Sequence, residues 1–240
     1  MQDPYLIRST PGVVELWSAV RLPYQPRGWL LDMRNDLCRA LGDFSRTSTG
    51  RLHAVYSAAD DGALVDTENV LLFNVGDTTL RPLLARSVTF ERSYHAPPHP
   101  PDGVTGGQAL HYHRYSEARD DSFRFWTPGK LLGAFFNVPV ESVDDKPAPV
   151  WNAIRECAAP PIETATAPTR FLIKVQITDT RESRPTTSLV DIVKPALDGI
   201  ISAYHSHSHE GEGVAAAQRL EAAGIGTVSM AKSLSPLVAG

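Results

Sequence analysis

The chain has 240 residues, 42% hydrophobic and 21% charged, with a formal net charge of −4. That length buries one large core or two small ones, and the composition is that of an ordinary globular protein. The acidic balance excludes a strongly basic, dedicated nucleic-acid binder, so any such role needs a local basic patch. No apolar run is long enough to span a bilayer, so no membrane partner is expected. MQDPYLIRSTPGVVELW has no basic stretch followed by an apolar one, so no signal peptide is expected. Cys38 and Cys157 lack CxxC partners, which argues against a zinc knuckle and favours a reducing cytoplasm.

In chain order, 13-VVELWSAVRLP-23 alternates and is rich in β-branched residues, which predicts a strand. From Trp29, apolar residues at Leu30, Met33, Leu37 and Leu41 have helical spacing. Residues 52–58 read as a strand, and 64-LVDTENVLLFNVG-76 fits either strand or helix. Residues 87–95 read as a strand, then 95-HAPPHPPDGVTGG-107 as a loop. Residues 110-LHYHRYSE-117 and 122-SFRFWT-127 both alternate, which predicts a hairpin. Further on, 133–143 reads as a strand, 150–158 as a helix and 170-RFLIKVQITD-179 as a strand. A helix over 189–204 and another over 213–224, ended by Gly224, complete the chain.

The order strand, Trp-led helix, strand, polar loop, motif segment occurs twice. Trp29 and Trp151 are 122 positions apart, as are Asn69 and Asp191. Either the chain is a duplication or an ordinary alternation of strands and helices produces the match. The duplication reading predicts an α+β fold with mixed sheets in two similar halves, residues 1–120 and 121–240, packed as a pseudo-dimer.

Three segments offer chemistry. In 66-DTEN-69, Asp66 and Glu68 at i and i+2 of a strand would share a face. With Asp77 as a third ligand they would suit Mg²⁺, which takes carboxylate oxygens. A solvated strand edge or a turn carries such acids equally well. In 191-DIVKPALD-198, helical spacing puts Asp191, Lys194 and Asp198 on one face. A lysine among acids neutralises charge on a phosphate, or forms plain surface ion pairs. The third segment is histidine. His111 and His113 alternate on a strand, as His205, His207 and His209 would if extended. Such pairs bind transition metals when another ligand closes the site, and are otherwise solvated loop or sheet residues. Arg170, Lys174, Arg181 and Arg184 are the candidate nucleic-acid contacts, or ordinary solubilising charge.

The segment 191–198 resembles the active-site motif of the RusA-type Holliday-junction resolvases, D-x-D-N-x-x-K-x-x-x-D. Lys194 and Asp198 take its last two positions, Asp191 stands at the Asn, and Ser188 and Val190 stand at the metal-holding acids. In the first half, Asp66, Glu68 and Asn69 match the acid-acid-Asn part, with Leu72 and Gly76 at the lysine and final-acid positions. That family forms homodimers of subunits about half this length, so the resemblance implies a fused tandem acting on branched or structured DNA. It implies Asp66, Glu68 and Asp77 holding Mg²⁺ to activate water for phosphodiester hydrolysis. Lys194 would stabilise the phosphate charge and Asp198 would orient the lysine. Two other readings stand beside it. One is a non-catalytic, nuclease-fold subunit with protein partners in an assembly. The other is a small-molecule metalloenzyme built on His111 and His113.

Overall fold

The computed structural model describes residues 3–48, 50–59, 66–76, 78–80, 87–101, 110–118, 123–140, 146–157, 162–163, 171–178, 189–204, 218 and 238–239. The fold is α+β, in two compact units, Met1–Thr127 and Pro128–Gly240. Among the described residues no helix is long and apolar enough to cross a membrane.

Unit 1 is a mixed five-stranded sheet. Its strands are β1 (Tyr5–Thr10), β2 (Val13–Ser18), β3 (Arg51–Ala58), β4 (Val88–Arg92) and β5 (His111–Ala118), in the order β1-β2-β5-β3-β4. β1 and β2 form a hairpin in which Thr10 pairs with Val13. Pro11 pre-sets its own φ, and Gly12, at φ 76°, takes the left-handed position that closes the two-residue turn. β5 runs antiparallel to both β2 and β3, and β3 pairs parallel with β4. The expected hairpin between 110–117 and 122–127 does not form. β5 spends both its edges on β2 and β3, and 123–127 carries no ladder.

The register assigns each side chain to a face, because successive residues of a strand point to opposite sides. One face carries Val14, Leu16, Leu52, Ala54, Tyr56, His113 and Tyr115, all buried. Helix α1 (Trp29–Thr47) covers it with Met33, Leu37, Leu41 and Phe44, the stripe its periodicity predicts. Tyr5 ties the hairpin to this helix by donating to Asp36 at 2.8 Å and stacking on Trp29. The ambiguous stretch 64–76 resolves, in its described part, as a helical turn running into a π-helical turn, Asn69–Phe73. Val70, Leu71 and Leu72 are buried consecutively, a pattern that neither strand nor helix periodicity produces. Tyr115 Oη donates to the Leu71 carbonyl at 3.1 Å and fastens this turn to the sheet.

In unit 2, α2 (Ala148–Cys157) and α3 (Leu189–Tyr204) pack together, and the two-residue strands β6 (Ile162–Glu163) and β7 (Val238–Ala239) pair in parallel. Val150, Trp151, Ile154 and Ala203 form the core, with Phe135, Val140, Ile200 and Tyr204 against it. Arg155 donates to the Ala203 carbonyl at 3.2 Å and satisfies one of the acceptors left open at the end of α3. The predicted strands at 133–143 and 170–179 carry no ladder over their described parts, 133–140 and 171–178. An alternating apolar pattern becomes a strand only when a neighbouring strand supplies hydrogen bonds. The predicted helix 213–224 lies almost wholly outside the described residues.

Gly199 sets the distance between α2 and α3. A Cβ there would lie 2.6 Å from the Pro147 carbonyl oxygen and 2.7 Å from Val150 Cβ. Gly199→Ala is therefore expected to cost about 1–3 kcal/mol by forcing the helices apart. Gly129→Ala, whose Cβ would meet nothing within 4 Å, is the matched control. Urea unfolding of both variants checks this, and equal midpoints would contradict it.

Candidate functional site

The motif residues fall in both units: Asp66 and Glu68 in unit 1, Lys194 and Asp198 in unit 2. On α3, Pro195, Ala196, Gly199 and Ala203 are buried. At roughly 100° per residue, Asp191, Lys194 and Asp198 share one side of the helix, as their spacing predicts, with Lys194 and Asp198 turned away from Ala196 and Ala203. Lys194 Nζ lies 3.2 Å from Asp198 Oδ2, and the two side chains keep 29% and 37% of their exposure. Pro195 sits inside the helix. It has no N–H for the Asp191 carbonyl, so the helix gives up one bond directly beside the pair.

Asp66 and Glu68 are not on a strand. Glu68 is helical, and Val70 N–H reaches the Asp66 carbonyl at 3.3 Å. The Asp66 carboxylate accepts from Asn69 Nδ2 at 2.8 Å, while Asn69 Oδ1 is buried and meets no donor. Two residues apart in a helical turn are roughly 200° apart around the axis. The shared strand face on which the Mg²⁺ reading of this pair rested is therefore not formed. Asp77, Arg170, Arg181, Arg184, His205, His207 and His209 lie outside the described residues. Lys174 is exposed.

His111 and His113 do share a face of β5, and it is the core face. His111 Nδ1 is 2.8 Å from Tyr56 Oη, and the His113 ring stands edge-on to Tyr56. Burial, with His111 beside it, pushes the His113 pKa down to about 3. The ring is neutral at ordinary pH and works as a packed core residue.

The opposite face of the unit 1 sheet holds a polar network. Arg8, Glu15, Arg114, Val55 and Glu91 are successive cross-strand partners along one row. Arg8 grips the buried Glu15 through Nε (2.8 Å) and Nη2, and Tyr112 Oη donates to the same carboxylate at 2.6 Å. Burial, then the Glu15 contact, pushes the Tyr112 pKa far above its ordinary value. At the other end, Glu91 is 1% exposed. It accepts from His53 Nε2 at 2.7 Å and from the backbone N–H groups of Arg124 (3.0 Å) and Phe125. Burial opposes ionisation of Glu91, but His53 and these two amides outweigh it and hold the carboxyl below its ordinary range. An ionised carboxylate only accepts, so His53 carries its proton on Nε2.

No family model matches the chain, and no curated protein matches it. A solved structure similar to part of it is the periplasmic domain of MotB from Helicobacter pylori (residues 90–256). The identity is 10%, over 50% of this chain and 90% of that one, with a TM-score of 0.27.

Sequence reasoning missed Glu91 and His53. Each stands among other polar residues of its strand, RLHAVYSA and VTFER, and neither belongs to a spaced motif. Their partnership depends on β3 pairing with β4, a contact between strands some thirty positions apart that local periodicity does not carry. The usable signal was parity: in 87-SVTFERSYH-95, Glu91 is the charged residue on the side opposite Val88 and Phe90.

Proposed function

We propose that the chain is a RusA-like protein that binds branched or structured DNA without cutting it. The observation that carries this reading is the Lys194–Asp198 pair on the partly exposed side of α3. The two residues take the lysine and final-acid positions of the family motif, while Ser188 and Val190 stand where that motif places its metal-holding acids. Unit 1 has the complementary acids, and there Asp66 is turned to Asn69. Each unit thus keeps part of the motif. A cation on an accessible helix face serves phosphate contact without any metal chemistry.

Binding of a four-way junction, measured as a function of salt, tests this. Lys194→Ala is expected to weaken binding and to lower the salt slope by about one counterion. Asp198→Asn frees the lysine from its partner and is expected to leave binding equal or tighter. Lys194→Ala with unchanged affinity and slope would sink the assignment of this helix face.

A second reading, a protein-binding subunit, is favoured by one observation. In unit 2, Leu131 is 71% exposed and Phe136 82%. Apolar surface of that kind marks protein interfaces when it is contiguous.

A further inference from the structure

Unit 1 has a second surface that the motif reading does not use. At the end of β4 the chain leaves the sheet through Ser93, Tyr94 and His95, and residues 123–127 lie beside it. The Trp126 indole N–H donates to the Arg92 carbonyl at 2.9 Å, and Glu91 takes the N–H groups of Arg124 and Phe125. These bonds bring aromatic rings together in pairs. Tyr94 and Trp126 lie 5.8 Å apart between centroids, and His95 and Phe125 lie 5.4 Å apart. A guanidinium sits over each pair: Arg92 is 5.4 Å from the Tyr94 ring, and Arg124 is 5.4 Å from the Phe125 ring.

Two features set this cluster apart from core packing. Tyr94 and Phe125 keep 39% and 40% of their exposure, although large aromatic rings dominate interiors and recognition surfaces alike. The backbone beneath Phe125 is also fixed by the buried Glu91 carboxylate, and Trp126 is tied to the Arg92 carbonyl. Exposed rings interleaved with arginine are the arrangement that binds single-stranded nucleic acid. Bases stack on the rings and phosphates meet the guanidiniums. A peptide ligand would use the rings but gives no reason for an arginine over each ring pair.

We propose that the aromatic–arginine cluster of Arg92, Tyr94, His95, Arg124, Phe125 and Trp126 is a stacking platform for unpaired nucleotides. It stands on unit 1 alone and goes beyond the role given to α3.

The test is fluorescence anisotropy of a labelled oligothymidylate with the full chain, between about 50 and 200 mM salt. Wild type is expected to bind with a negative salt slope. Phe125→Ala and Tyr94→Ala are each expected to weaken binding by roughly 5–100-fold, the range for losing one stacked base. Phe125→Trp keeps a π-face and is expected to retain binding, which separates stacking from damage to the fold. Tyr24→Ala, an exposed ring stacked on Phe73 instead, is expected to change affinity by less than about twofold. No binding by the wild type, salt-independent binding, or equal affinity in Phe125→Ala would each overturn the proposal. Lys194→Ala reports on the junction reading separately: oligothymidylate binding unchanged in that variant leaves the platform standing whatever happens to the junction.

Discussion

Replacing Glu91 with alanine is expected to lower the stability of unit 1 by about 1–3 kcal/mol for the buried His53 donor, with smaller losses from two partly exposed amides. Three donors lose their acceptor at once: the His53 imidazole and the amides of Arg124 and Phe125. A buried donor left without a partner carries its full desolvation cost. Domains of this size are stable by only about 5–15 kcal/mol, so the loss is a sizeable share of the total. Glu91→Gln keeps the shape and one acceptor oxygen, and is expected to lose less. Urea midpoints measured for both variants check the order. The same carboxylate anchors the backbone under Phe125, so Glu91→Gln is also expected to raise the mobility of 123–127 in hydrogen exchange. If Glu91→Ala were as stable as wild type, the network on this face would be ornamental.

The second large effect is acid sensitivity. The His113 ring is neutral in the fold down to about pH 3, whereas an unfolded histidine takes its proton near 6.5. Between those values the unfolded chain binds the extra proton, so stability rises with pH in that window. The contribution is fully present above 6.5 and is lost as the pH falls, by about 1.4 kcal/mol for each unit. Glu91 acts in the same direction at lower pH. Its folded carboxyl is held below its ordinary value, so its contribution is present above that value and lost on further acidification. His113→Phe fills the same core position and keeps an edge for Tyr56, but has no proton to take. Between pH 6.5 and about 4.5 its stability is expected to fall less steeply than that of wild type, by about one proton per molecule. The slope is the readout, so an overall loss of stability in the variant does not blur the result. Equal slopes would mean that His113 titrates normally.

Local periodicity made much of unit 1 legible. The spacing of Met33, Leu37 and Leu41 gave the buried stripe of α1, and alternation gave β2, β3, β4 and β5. The β1 strand was missed, although Pro11-Gly12 before a β-branched run is a turn signal. What periodicity could not give was pairing. The stretch 122–127 alternates as a strand does, yet in its described part it serves as the anchor of an aromatic cluster, because β5 had already been taken by two other strands. The same limit explains the acid pair. Asp66 and Glu68 read as neighbours on one face only if the segment is extended. Three consecutive buried apolar residues, Val70, Leu71 and Leu72, follow in a π-helical turn, so the segment is not the strand that a shared face requires. On α3 the spacing was sufficient, since Lys194 and Asp198 meet through one turn of a single helix and need no other element.

One gel decides whether the chain binds junction DNA without hydrolysing it. A labelled four-way junction is incubated with the full chain, with and without Mg²⁺, and run under native and denaturing conditions. The expected result is a salt-sensitive shift on the native gel and an intact strand on the denaturing one. Mg²⁺-dependent cleavage that disappears in Asp66→Asn would contradict the claim and restore the nuclease reading. Absence of any shift at low salt would overturn the junction reading.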